Sequence, residues 1–215
     1  MTRGREVFRE GLRMEEVAGN CLVSVVNCAL LELGKTEWDP VVFRSLLPET
    51  SHRHLKLVSK CLEADTGLRF DDMEVRKDRT LIRRILVDRL DSGSLCDLRV
   101  KSISWFEDPL NIQTRGLDKD DLHAIMVFGY YAPLGLKHDL WLYLADSLSE
   151  KLWFLHFNKI FGILEEGRSI RVGVFSSVRG GGRGFTWWDK LQMKGEHRSL
   201  VEKVTSARGG LIKNC

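Results

Sequence analysis

Three residue types, in one order along the chain, could together break an acyl bond. Cys21 stands in Asn20-Cys21-Leu-Val-Ser-Val-Val-Asn27-Cys28-Ala-Leu-Leu-Glu-Leu-Gly34, an almost continuous apolar run without an internal turn signal. Such a run reads as a buried helix, with Gly19-Asn20 as its capping turn and Gly34 as its stop. Cys21 then falls in the first turn. There the helix dipole and the unpaired N–H groups lower a thiol's pKa and favour the nucleophilic thiolate. Those same N–H groups can stabilise a developing oxyanion. His123 opens the most apolar run of the second half, Leu122-His-Ala-Ile-Met-Val-Phe-Gly-Tyr, a place that suits a firmly held general base. Asp146 ends Trp141-Leu-Tyr-Leu-Ala-Asp. If these two runs are antiparallel neighbours, the carboxylate reaches the imidazole and fixes its tautomer.

The remaining cysteines and histidines carry weaker signals. Cys28 lies two helical turns beyond Cys21 and reads as core. Cys61 and Cys96 read as structural, and Cys215 as a tail residue. His52 and His54 resemble a metal pair without further ligands at suitable spacing, so a surface loop is expected and no metal site. His138-Asp139 is a rival pair, expected in an exposed loop. His156 and His197 give no signal. Asp146 could equally begin a turn with Ser147.

The elements that must position these side chains follow from periodicity. Helices are expected around Val41–Leu47, over Arg53–Thr66, and over Asp78–Leu90, the last with Leu81, Ile82, Ile85, Leu86 and Leu90 as its buried stripe. Beyond Asp91-Ser-Gly-Ser the texture turns to strands: Leu98–Trp105, Leu122–Tyr131, Leu140–Ala145, Leu152–Phe157 and Ser169–Val174. Helices first and strands second argue for an α+β fold, with a helical N-terminal subdomain packed on a C-terminal antiparallel sheet.

The order Cys at the start of a long apolar helix, then a His-Ala-Ile-x-Val-x-Gly-Tyr strand, then a strand ending in Asp, resembles the papain-like cysteine peptidases. In texture it is most similar to the bacteriocin-leader peptidase domains of ABC exporters and to phytochelatin synthases. The resemblance covers roughly residues 14–160. It implies a papain-like fold and a thiol hydrolase acting on a peptide or protein substrate. Cys21 would be the nucleophile, His123 the base and Asp146 the orienter, with a thioester intermediate and no cofactor. Glu15 stands where the family places the glutamine of its oxyanion hole, and a charged carboxylate there would repel an oxyanion. Leu22 and Ser147 stand where the family favours Gly and Pro.

Composition bounds the setting. The chain has 215 residues, 43% hydrophobic and 29% charged, enough for one substantial core. No apolar stretch is long enough to span a bilayer, so no membrane partner is expected. Five cysteines without a CxxC pair argue against a disulfide scaffold or zinc ribbon. The N-terminus is charged where a signal peptide would be apolar, so a cytoplasmic location with reduced thiols is expected. The net charge of +3 divides unevenly. Residues 178–215 hold eight Lys/Arg against three Asp/Glu, a net of +5, and the other 177 residues carry 25 against 27, a net of −2. Two domains of organisation result: 1–177 as the peptidase-like body and 178–215 as a Gly-rich basic extension. Arg179-Gly-Gly-Gly-Arg-Gly-Phe-Thr-Trp-Trp in that extension reads as a mobile glycine loop before a short helix. Its composition also suits an anionic partner such as single-stranded nucleic acid. Beside the hydrolase, two further readings therefore stand: an inactive papain-fold binding or adaptor module, and a nucleic-acid-associated protein using the tail.

Overall fold

A computed structural model describes residues 5–7, 14, 21–33, 63, 66–108, 121–133 and 139–177. Among the described residues, seven strands and four helices are bounded at both ends and follow one another as β1 (Arg5–Val7), α1 (Cys21–Glu32), β2 (Leu68–Arg76), α2 (Arg79–Asp91), β3 (Leu95–Lys101), α3 (Ser102–Glu107), β4 (Leu122–Ala132), β5 (Trp141–Asp146), β6 (Ser149–His156), α4 (Phe157–Ile163) and β7 (Ser169–Ser177). The strands form one sheet in the order β2-β7-β3-β4-β5-β6, every pair antiparallel. β1 adds to the end of β4, on the side where β3 has stopped.

The α+β class is as expected, but the segregation of helices before strands is not. β2 precedes α2, while α3 and α4 each follow directly on a strand. Among the described residues, the N-terminal helical part is represented by α1. The expected helix at 41–47, nearly all of 53–66, and the extension 178–215 lie outside the described residues.

Each helix has a local cause. Nine of the twelve α1 residues are apolar, and its positions from Leu22 to Leu30 are all buried, so α1 behaves as a core helix and not as an amphipathic surface one. α2 begins at Asp78, whose side chain accepts the Leu81 N–H at 2.8 Å as an N-cap. It buries Ile82, Leu86, Val87 and Leu90, with Leu81 and Ile85 only half-buried, so the stripe is rotated slightly from the expected one. Gly93, at φ 81°, turns the chain out of this helix into β3, a conformation that favours glycine.

The expected strand Leu98–Trp105 is corrected in the structure. Strand geometry ends at Lys101, and Ser102–Glu107 is a helical turn. Ser102, Trp105 and Phe106 are its buried residues, a spacing of three and four that belongs to a helix. The alternation read locally from Val-Lys-Ser-Ile-Ser-Trp gives way to the packing of two aromatic side chains under β4 and β5. In the same way the expected Leu152–Phe157 strand ends at His156, and Phe157 begins α4.

The sheet has a core on each face. Against α1 lie Leu68, Phe70, Leu95, Ala124, Met126, Phe128, Ala145 and Phe175. Against α2, α3 and α4 lie Leu98, Val100, Ile125, Val127, Leu142, Leu144, Val172 and Val174. A strand buried on both faces reads as a continuous apolar run, and β4 does so from His123 to Tyr130. Gly173 of β7 is required by a close approach: a Cβ there would sit 1.7 Å from the buried Asp97 Oδ1. No helix among the described residues is long and apolar enough to cross a membrane.

Candidate active site

The β4–β5 ladder opens at one end of the sheet. Met126 pairs with Ala145, but the register shifts between Ala145 and Asp146, where β5 turns into β6. The start of β4, from Leu122 to Ile125, is thereby left without a β5 partner. The first residue of α1 fits into that gap. Ala124 N–H donates to Cys21 Sγ at 3.4 Å, and the thiol also hydrogen-bonds the His123 ring.

His123 is buried, 5% exposed, with its position set by the β3 pairing of Val100 to His123. Its Nε2 lies 2.6 Å from Asp146 Oδ2. A carboxylate only accepts hydrogen bonds, so Nε2 carries the proton and Nδ1 is left for the thiol. The Phe106 ring stands edge-on to the imidazole at 4.9 Å between centroids and restricts its rotation.

Asp146 is fully buried and uses both oxygens. Oδ2 accepts from Trp105 Nε1 at 2.6 Å as well as from His123. Oδ1 accepts the Leu148 N–H at 2.7 Å and so shapes the β5–β6 turn. The turn-forming contact and the contact with His123, rivals in the sequence, are both made by one side chain. Three donors on a carboxylate sealed from water hold it rigidly.

The charges follow from these contacts. Burial pushes the Cys21 thiol up, but the His123 hydrogen bond and charge, with the Ala124 and Leu22 N–H groups, pull it down further, and it ends below the ordinary thiol value. For His123, burial works against the charged ring, while Asp146 and then Cys21 favour it, and its pKa is raised to about 9. Opposite shifts on touching groups favour a thiolate beside an imidazolium more than either group would alone. The other described cysteines go the opposite way: burial pushes the Cys28 thiol up to about 12 and the Cys96 thiol well above its usual value.

Of the expected site residues, Cys21, His123 and Asp146 come together as one hydrogen-bonded chain. Glu15 lies outside the described residues, as do His52, His54, Cys61, His138, His197 and Cys215. Asp139 is partnered instead by His156, Nε2 to Oδ1 at 3.4 Å, and by Trp141 Nε1 at 2.7 Å. Sequence reasoning missed Trp105 and Phe106. The only available signal was an aromatic pair after a Ser-Ile-Ser segment, which the period-2 pattern absorbed into a strand. Among the described residues, no three His, Cys, Asp or Glu side chains are grouped as a metal site.

Compared with known proteins, the chain matches no family model and no curated protein.

Proposed function

We propose that this chain is a papain-like thiol hydrolase that cleaves a peptide or amide bond through Cys21, His123 and Asp146. The observation that carries the reading is the continuous contact of thiol, imidazole and buried carboxylate, with the thiol pKa lowered and the imidazole pKa raised. The resemblance of residues 14–160 to papain-like peptidases adds the reaction class. The α+β arrangement, an apolar helix presenting Cys21 to the opened start of an antiparallel strand, suits it.

In this reading the Cys21 thiolate attacks the substrate carbonyl, and the electron pair of the C=O bond moves onto oxygen. Collapse of that intermediate expels the amine, which takes the proton held at His123, and leaves a thioester. The neutral imidazole then removes a proton from water, hydroxide adds to the thioester, and thiolate departs as the carboxylic acid forms. Asp146 keeps His123 oriented in both halves and stabilises its charged form. The Leu22 and Ala124 N–H groups stabilise the thiolate by bonding to it.

A fluorogenic peptide library, read with the full chain and with Cys21→Ala, tests this. Turnover that vanishes in the variant, with an acyl-enzyme trapped on Cys21, is the expected outcome. Absence of any Cys21-dependent acylation across peptide and amide substrates would overturn it in favour of a binding module.

A further inference from the structure

A second site lies at the β2–β7 side of the sheet, on the face covered by α2 and α4. There an open concavity of about 730 Å³ is lined by Arg76, Lys77, Phe161, Gly167 and Arg168. That volume falls within the range of small-molecule pockets and far exceeds what a lone inorganic ion needs. Three of the five lining residues are cationic and none is acidic. Arg76 ends β2, and its strand partner Ser169 directly follows Arg168, so the register brings the two arginines to one rim. Arg79, at the start of α2, adds a fourth cation, its guanidinium 5.1 Å from the Phe161 ring centre.

The neighbouring carboxylates have hydrogen-bond or ion-pair partners of their own, although Glu166 also feels the charge of Lys77. Glu166 pairs with Lys101, and Glu165 accepts the Arg171 backbone N–H. Glu74 accepts from Ser169 Oγ at 2.7 Å, and Asp78 caps α2. Among the described residues, no carboxylate lies within ion-pair distance of Arg76, Lys77, Arg79 or Arg168. Lys77 is instead steadied by two carbonyls, those of Leu164 at 3.2 Å and Glu165 at 2.8 Å. Crowding of cations is felt one turn along α2, where burial and the charge of Arg79 both lower the Arg83 pKa. Three cations line the concavity and Arg79 stands beside it; the Glu166 carboxylate feels the Lys77 charge, and the excess positive charge left on Arg76, Arg168 and Arg79 suits an anion.

We propose that this concavity binds a phosphorylated small molecule of nucleotide size, its phosphates on Arg76 and Arg168 and its ring against the Phe161 wall. Guanidinium groups match phosphate oxygens in bidentate fashion, and Lys77 contributes a fixed point charge. The site is separate from Cys21 and independent of the chemistry assigned there.

Isothermal titration of the full chain at low salt tests the proposal, using ATP, AMP, inorganic phosphate and a ten-nucleotide single strand. The expected result is saturable one-to-one binding of ATP, weaker for AMP and weakest for phosphate, and loosened by added salt. Arg76→Ala with Arg168→Ala should weaken ATP at least about tenfold. Both residues are exposed, and an unchanged Cys21 alkylation rate shows that the double variant is folded. No saturable ATP binding, or equal affinity in the double variant, would overturn the proposal. So would phosphate binding as tightly as ATP, or an oligonucleotide that binds where ATP does not.

Discussion

Two histidine–aspartate pairs sit at opposite ends of β5, and they do different work. At one end His123 Nε2 meets Asp146 Oδ2 at 2.6 Å, with side-chain exposures of 6% and 0%. At the other, His156 Nε2 meets Asp139 at 3.4 Å, with exposures of 27% and 26%. The free ring nitrogen of His123 faces a thiol, whereas Nδ1 of His156 accepts the Asn158 N–H at 3.2 Å and caps α4. Residue type is therefore no guide to role. Both carboxylates also accept a tryptophan N–H, so burial and what the other ring nitrogen meets are what separate a candidate catalytic pair from a structural one.

The largest expected contrast comes from removing each histidine. His123→Ala should lower Cys21-dependent turnover by at least about a thousandfold, since base, acid and thiolate stabilisation go together. His156→Ala should leave turnover within about twofold and cost roughly 1 kcal/mol of stability through the lost cap, read by urea unfolding. Equal losses of activity in the two variants would dissolve the distinction.

The carboxylates give the next contrast. Asp146→Ala strands the Trp105 N–H and the Leu148 N–H in a buried site, so about 3 kcal/mol of stability or more should be lost along with activity. Asp139→Ala breaks a half-exposed contact and should cost about 1 kcal/mol or less. Between them stands Trp105→Phe, which keeps most of the ring volume but removes one donor to Asp146. A loss of about 1–3 kcal/mol is expected, with a fall in kcat and an unchanged KM.

How far the site was legible in the sequence follows the same division. Cys21 and His123 were visible because helix and strand starts are written locally, in Gly-Asn before an apolar run and in an apolar run after an acidic loop. Asp146 was visible as the end of the next strand. Trp105 was not, because its role depends on a helical turn whose local pattern imitates a strand. β2 was missed for a related reason. Asp71-Asp72 breaks its alternation, yet Asp72 is buried against Arg171 at 2.7 Å and Arg99 at 3.6 Å, cations supplied by β7 and β3. Long-range ion pairs of this kind leave no periodic trace in the strand that holds them.

A smaller effect tests the electrostatics by pH. The folded pKa of His123, about 9, lies above its ordinary 6.5, so its contribution to stability is full below about 6.5 and is lost as pH rises through about 9. Unfolding free energy should therefore decline across that window in the native chain and be flatter in His123→Ala. Turnover should fall on the same limb, because the imidazolium that protonates the leaving amine is lost. A stability curve identical in the two proteins would remove the coupling.

Cys21 and Cys28 share one helix, seven residues apart, and their thiols are driven in opposite directions. The most direct test is accordingly the pH dependence of iodoacetamide alkylation, resolved by residue in the folded chain. The prediction is that Cys21 reacts with an apparent pKa below 9.0 while Cys28 and Cys96 stay unmodified, and that His123→Ala restores an ordinary or higher value at Cys21. A Cys21 that titrates like a free thiol, or reacts no faster than Cys28, would contradict the thiolate–imidazolium pair on which the proposed hydrolase rests.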